Sequence, residues 1–195
     1  MNYDYLFKIL FIGEANVGKT SYCNLLQKNK YNKFHDPTIG IEISSYYSII
    51  KEKMIKTHIL DTSGKNIFLP LIKSYYKGIA GVFVIYSVSD RNSFEKVDFW
   101  LNEINKNKSE DKIQIYIIGN KIDTYRVVTY EEGLKKAEKY NLLFFETSVK
   151  ENKGCVNTFQ KICTDIYTNY NPTIGHCGVY LKKKREKEEA YYCCC

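Results

Sequence analysis

The run Gly13-Glu14-Ala15-Asn16-Val17-Gly18-Lys19-Thr20 constrains this chain more than any other feature. It follows an apolar stretch, Leu6–Ile12, broken only by Lys8, and it opens a segment of helical pattern. A strand, a glycine-bounded turn and a helix in that order make a cradle for phosphate. Glycines let the backbone wrap closely round an anion, while successive N–H groups and the helix N-terminus supply donors and partial positive charge. In this pattern Lys19 reaches the terminal phosphates and the Thr20 hydroxyl holds a magnesium ion. Asn16 lies within the loop, and asparagine tolerates a left-handed conformation better than most residues.

The rest of the chain supplies a matching frame. Short apolar runs alternate with amphipathic stretches, the pattern of an α/β doubly wound sheet. Strands are predicted at Leu6–Ile12, Ile41–Lys51, Met54–Leu60, Gly81–Tyr86, Ile113–Ile118 and Leu142–Phe145, the second and third forming an antiparallel hairpin around Glu52 and Lys53. Asn92-x-x-Glu95 and Thr129-x-x-Glu132 have the form of helix-opening capping boxes. Phe94, Val97, Leu101 and Ile104 share one helical face, as do Phe159, Ile162, Cys163 and Ile166 in the last helix. After Tyr170 the periodicity stops, giving one domain over residues 1–170 and a flexible tail over 171–195.

Composition narrows the function class. With 195 residues, 44% hydrophobic and 26% charged, the chain suits one globular domain. The longest apolar run, Ile79–Tyr86, is strand-sized, and the N-terminus lacks the form of a secretory signal. The net charge of +7 comes almost wholly from lysine; arginine occurs only at 91, 126 and 185, with no arginine-and-aromatic stripe of the kind that reads nucleic acid. Cys23, Cys155, Cys163 and Cys177 are scattered, which fits buried thiols of a reducing compartment better than disulfides or zinc. Cys193, Cys194 and Cys195 end the chain.

A second motif chooses the base. Asn120-Lys121-Ile122-Asp123 follows the strand Ile113–Gly119 at the carboxyl edge, where open α/β sheets bind ligands. Guanine offers N1–H and the N2 amine to a carboxylate, and Asp123 can accept both. Adenine presents an acceptor at N1 and would repel it. Thr147-Ser148-Val149-Lys150 follows the last strand, where its backbone N–H groups can read guanine O6.

In this order the motifs resemble those of a Ras-superfamily small GTPase over roughly residues 5–170, and most closely the Rab branch. Thr38-Ile39-Gly40-Ile41-Glu42-Ile43 resembles the Rab switch I signature, and Tyr75-Tyr76-Lys77-Gly78-Ile79-Ala80 resembles a Rab Tyr-Tyr-Arg-Gly-Ala segment. The resemblance implies a P-loop small-GTPase fold: a six-stranded, mostly parallel sheet with one antiparallel edge strand and about five helices. It implies GTP or GDP with Mg²⁺ as ligands, held by Ala15, Asn16, Val17, Gly18, Lys19, Thr20 and Ser21 around the phosphates. Tyr31 would pack edge-on to the guanine, Asn120 would tie the base loop to the phosphate loop, and Lys121 would lie along the purine. Ser148, Val149 and Lys150 would complete the base site. Thr38 would close on Mg²⁺ and the γ-phosphate, Asp61 would hold Mg²⁺ through water, and the Gly64 N–H would sense the γ-phosphate. Loss of that phosphate would relax both segments.

The partners implied are an exchange factor, a GAP, a GDP-dissociation inhibitor, effectors, and a prenyl transferase with its escort protein. They serve a monomeric G domain on the cytoplasmic face of an endomembrane, cycling with cytosol in vesicle traffic. The terminal cysteines resemble a Rab di-cysteine end, which implies two lipid chains and stable anchoring. The five cations of Leu181–Cys195 against three glutamates give only a weak polybasic aid.

The sequence also departs from the family. Lys65 follows Gly64 where the family has glutamine, which orients the attacking water with both an acceptor and a donor. Lysine has three donors and no acceptor. Slow intrinsic hydrolysis is expected, and a GTP-locked membrane scaffold is the alternative reading. A P-loop kinase is a further rival, disfavoured by Asn120-Lys121-x-Asp123. His35 replaces a switch I tyrosine. Of three aromatic positions that Rabs use to meet effectors, the counterparts are Ile43, Leu60 and Tyr75, so one stays aromatic.

Overall fold

A computed structural model describes residues 3–31, 36–107, 113–169 and 179–181. His35, Cys177 and Cys193–Cys195, on which expectations were placed, lie outside the described residues. The elements are β1 (Tyr5–Ile12), α1 (Lys19–Lys28), β2 (Ile41–Ile50), β3 (Lys53–Thr62), α2 (Leu69–Tyr75, after a 3₁₀ turn at Asn66–Phe68), β4 (Gly81–Ser87), α3 (Arg91–Glu95), α4 (Val97–Asn107), β5 (Gln114–Asn120), α5 (Tyr130–Lys139), β6 (Leu143–Thr147), α6 (Cys155–Asn169) and β7 (Val179–Leu181).

The main sheet runs β2-β3-β1-β4-β5-β6. The β2–β3 pair is antiparallel, and the β3–β1, β1–β4, β4–β5 and β5–β6 pairs are parallel. This is the six-stranded sheet expected, with one addition: β7 pairs antiparallel to β1, Leu6 opposite Tyr180. It fits there because β4 joins β1 only from Ile9 onward, leaving the first half of β1 open on that side.

Alternation along β1 explains the two cores. Phe7, Ile9 and Phe11 face α1 and α6, packing with Tyr22, Leu25, Phe159 and Ile162. Leu10 and Ile12 face the other way, into a cluster with Ile72 of α2, Trp100 and Ile104 of α4 and Ala137 of α5. A central strand covered by helices on both faces reads as a near-continuous apolar run, as this one does. Phe11 stacks on Phe83 with ring centroids 4.9 Å apart, and Phe159 meets Phe83 edge-on. Cys23, Cys155 and Cys163 are buried free thiols, and burial pushes the Cys155 and Cys163 thiols up to about 12.

Three local expectations change. The hairpin turns at Lys51 and Glu52, one residue earlier than expected, with φ of 46° and 64°. A two-residue loop needs positive φ at both positions to match the strand twist, and here non-glycine residues supply it. Asp90, rather than Asn92, caps α3: its side chain accepts the Asn92 N–H, so the helix starts at Arg91. The helix then breaks at Lys96 before α4 begins. Thr129 and Glu132 do form a reciprocal capping box at α5.

Candidate functional site

β1 ends at Ile12 and α1 begins at Lys19, so the phosphate loop bridges the carboxyl edge of the central strand to a helix N-terminus. Gly18 caps α1 in a left-handed conformation with no side-chain cap bond. A Cβ there would meet Asn120 Nδ2 at 2.4 Å, so only glycine lets the base loop approach. Asn16 takes φ 63°, a left-handed conformation that asparagine tolerates. α1 has no acidic residue in its first turn, and its N-terminus opens onto the loop.

Lys19 is almost wholly buried, its ammonium donating to the carbonyls of Gly13 (2.9 Å) and Glu14 (2.6 Å). Burial lowers its pKa to about 8, against the pull of Asp61 and Glu14. The Thr20 hydroxyl donates to Asp61 Oδ2 at 2.6 Å and shares a hydrogen bond with the Thr38 hydroxyl at 2.7 Å. Thr38 also lies 3.4 Å from Asp61 Oδ2. The other carboxylate oxygen, Asp61 Oδ1, is buried with no hydrogen-bond partner. Burial raises the Asp61 pKa, and Thr20 and Lys19 oppose the rise. Two hydroxyls and one carboxylate, with one of its oxygens unsatisfied, are a donor set that fits a hard, oxygen-seeking cation such as Mg²⁺.

Gly64 rests on the phosphate loop: a Cβ there would meet the Glu14 carbonyl carbon at 2.5 Å and the Ala15 nitrogen at 2.6 Å, and its φ is 73°. Lys65 is exposed, and its backbone N–H approaches the Ser63 hydroxyl at 3.4 Å.

At the other end, β5 runs on past the expected Ile118 to Asn120, carrying the base motif to the sheet edge. Asn120 donates to the Val17 carbonyl at 2.8 Å and accepts from the Thr147 hydroxyl at 3.2 Å, joining the base loop to both the phosphate loop and β6. Lys121 takes φ 67°, a left-handed conformation that is strained for a side chain of its size. Asp123 accepts from the Ser148 hydroxyl at 2.6 Å and lies 3.7 Å from the Lys150 ammonium. Ser148 was expected to act through its backbone; its hydroxyl also aims the carboxylate.

One cleft of about 1020 Å³ joins these ends. Ala15, Asn16, Gly18, Lys19, Thr20 and Ser21 line it, with Tyr31, Thr38 and Lys65 on one side and Asn120, Lys121, Asp123, Val149 and Lys150 on the other. Val17, Asp61, Gly64 and Ser148 stand behind the lining and set its shape. Asp36, Pro37, Thr62, Ser63 and Thr124 also line the cleft and were missed. Each is a sequence neighbour of a motif residue, and that adjacency was the available signal.

Comparison with known proteins settles the family. The Ras family model matches residues 8–168. The chain belongs to the Ras family. It is 37% identical over 168 residues to the Ras-related protein RABA5d of Arabidopsis thaliana, covering 85% of this chain and 76% of that protein. It is 36% identical over 169 residues to the Ras-related protein Rab-11B of Dictyostelium discoideum, covering 86% and 76%. It is 34% identical over 168 residues to the Ras-related protein Rab11B of Nicotiana tabacum, covering 85% and 77%. This member of the Ras family is a Rab-like small GTPase of vesicle trafficking, binding guanine nucleotide and hydrolysing GTP. The locked-scaffold alternative is not favoured.

Proposed function

We propose that this Rab-like GTPase holds its nucleotide across the cleft with phosphates at Gly13–Thr20 and guanine at Asp123. The observation that carries the reading is the pairing of two complementary ends in one cleft. Lys19 and an under-satisfied Asp61 lie at one end, and a carboxylate aimed by Ser148 lies at the other. Calorimetry with GDP and ADP tests it. GDP should bind with at least about a thousandfold preference, the scale set when a buried polar site is left unpaired by the wrong ligand. Equal binding of the two overturns the assignment.

Thr20, Thr38 and, through water, Asp61 would hold Mg²⁺, which would neutralise phosphate charge when bound. The chain's own residues do the rest. Lys19 leaves the Gly13 and Glu14 carbonyls for the phosphates. Phosphate-loop amides and the Gly64 N–H fix the γ-phosphoryl group for in-line attack by water. Lys65 has no acceptor with which to orient that water, so intrinsic turnover falls below the slow rate of about 10⁻⁴ s⁻¹ usual for this chemistry. A GAP that brings its own glutamine and arginine restores it. Loss of γ-phosphate frees Thr38 and Gly64, and partners read the difference.

The partner face is the switch surface. Ile39, Ile43, Ile67 and Leu71 are exposed large apolar side chains there. Of the effector-position counterparts, Leu60 is buried, Ile43 is exposed and Tyr75 is half-buried, so Leu60 acts in packing. An exchange factor, a GAP, a GDP-dissociation inhibitor and effectors meet this G domain of residues 1–170. The tail of residues 171–195, lipidated by the prenyl transferase and escort on two of Cys193, Cys194 and Cys195, returns it to the cytoplasmic face of an endomembrane.

A further inference from the structure

The phosphate loop carries a negative charge of its own. Glu14 lies in the turn that is to receive phosphates, where a carboxylate repels the ligand. The structure shows where that charge is kept: the Trp100 indole N–H donates to Glu14 Oε1 at 3.2 Å. Trp100 is fully buried on α4, edge-on to Phe99 at 5.3 Å and in one core with Leu10, Ile12 and Val84. It is the single tryptophan of the chain. The backbone of Glu14 meets two further parts of the site. Its carbonyl takes the Lys19 ammonium, and Gly64 rests against its carbonyl carbon. The Glu14 charge is felt at Lys19, where it favours the protonated ammonium.

We propose that Trp100 is a positioning residue for the bound nucleotide: its indole N–H holds the Glu14 carboxylate on the α4 side of the loop, leaving Lys19 to the phosphates. A freed carboxylate would find in Lys19 the strongest partner in reach, because charge-assisted pairs out-compete neutral ones. It would then both occupy Lys19 and repel the ligand at short range in a low-dielectric site. Core packing of the indole makes the restraint rigid. This inference rests on the nucleotide reading given above.

The test is a double-mutant cycle on the full chain, reading the release rate of fluorescently labelled GDP with excess magnesium. Trp100→Phe should release GDP about tenfold faster, the scale of one hydrogen bond to a charged group. Glu14→Gln, which removes the like charge, should release it about threefold more slowly than the parent. The double variant should follow Glu14→Gln within about twofold, because the indole has nothing left to restrain. A double variant as fast as Trp100→Phe means that the indole acts through the helix alone, and overturns the proposal. Unchanged release in Trp100→Phe also overturns it. So does faster release in Glu14→Gln, a result that holds whether or not the tryptophan variant folds. The single tryptophan adds a spectroscopic readout: its emission should change in Glu14→Gln, and identical emission counts against the contact. A parent chain that binds no GDP sinks the nucleotide reading itself and is seen before any variant is compared.

Discussion

The two ends of the cleft are built differently. At the end proposed for guanine the two motif side chains already have partners: Asn120 is tied to Val17 and Thr147, and Asp123 is aimed by Ser148 and flanked by Lys150. At the phosphate end the groups wait. Lys19 is parked on carbonyls with its pKa lowered to about 8, and Asp61 keeps one buried oxygen unsatisfied. A pre-built end contributes the same affinity whatever the phosphate count, because its geometry does not depend on the ligand. An unfinished end changes when the ligand changes, so the switching belongs there. On the proposed nucleotide reading, selectivity and signalling are separated along one cleft.

The sharpest way to break this division is Asp123→Asn. The amide keeps one acceptor for N1–H but turns a donor toward the guanine N2 amine. GDP affinity should fall about a thousandfold by calorimetry, with the melting temperature of the ligand-free chain little changed. Asp61→Asn is the counterpart at the unfinished end. It should cost about a hundredfold in GDP affinity at saturating magnesium, and release should become insensitive to a chelator. If Asp61→Asn instead keeps its response to magnesium, the waiting carboxylate is not a metal group and the comparison fails.

Lys19 gives the two ends different pH behaviour. In the empty site it loses its proton near pH 8, whereas phosphates favour the charged form. GDP affinity should therefore fall as pH rises above about 8, by up to about tenfold per unit, with proton uptake on binding. Calorimetry in buffers of different ionisation enthalpy measures that uptake. The sign reverses for stability. The unfolded chain holds a proton on Lys19 up to its ordinary value of 10.5 that the empty fold releases near 8. The empty protein should gain stability through that window while the complex loses affinity. A smaller effect is expected at Lys65. Lys65→Gln supplies the missing acceptor and should raise single-turnover GTP hydrolysis by about tenfold without changing GDP affinity.

Residue order alone announced most of the cleft, because the chemistry of a diphosphate and of a purine edge each demands specific residues at fixed spacing. Gly13–Thr20 and Asn120–Asp123 were legible for that reason, and so were the strands that carry them, whose apolar runs are long enough to show burial on both faces. What stayed hidden depends on distant partners. Nothing local marks Ser148 Oγ as the group that aims Asp123, since 25 residues separate them. The Asp90 cap was missed because Asn92 offered a better-spaced pattern, although the helix starts two residues earlier. The turn at Lys51 and Glu52 was displaced because neither residue is a usual bearer of positive φ. β7 was unreadable, since its pairing answers a gap left by the late arrival of β4 beside β1.

The smallest effect bears on what an unsatisfied buried oxygen means. Tyr86 also has one: its hydroxyl is buried without a partner beneath the guanine end. There it lies against Gly119 and Gly133, where a Cβ would come within 2.9 Å and 2.6 Å of it. Burial pushes its pKa up, with Glu146 adding to the rise. The two orphans have opposite surroundings. Asp61 Oδ1 belongs to a carboxylate whose other oxygen is bound by the hydroxyls of Thr20 and Thr38, as a metal site requires, whereas the Tyr86 hydroxyl abuts two glycines that give it room and no acceptor. Deleting it in Tyr86→Phe removes a desolvated donor and strands no partner. The chain should therefore gain up to about 1 kcal/mol in denaturant unfolding while GDP affinity stays within about twofold. A loss of guanine affinity in Tyr86→Phe would mean that the base end, too, holds a group in waiting, and the contrast between the two ends would have to be redrawn.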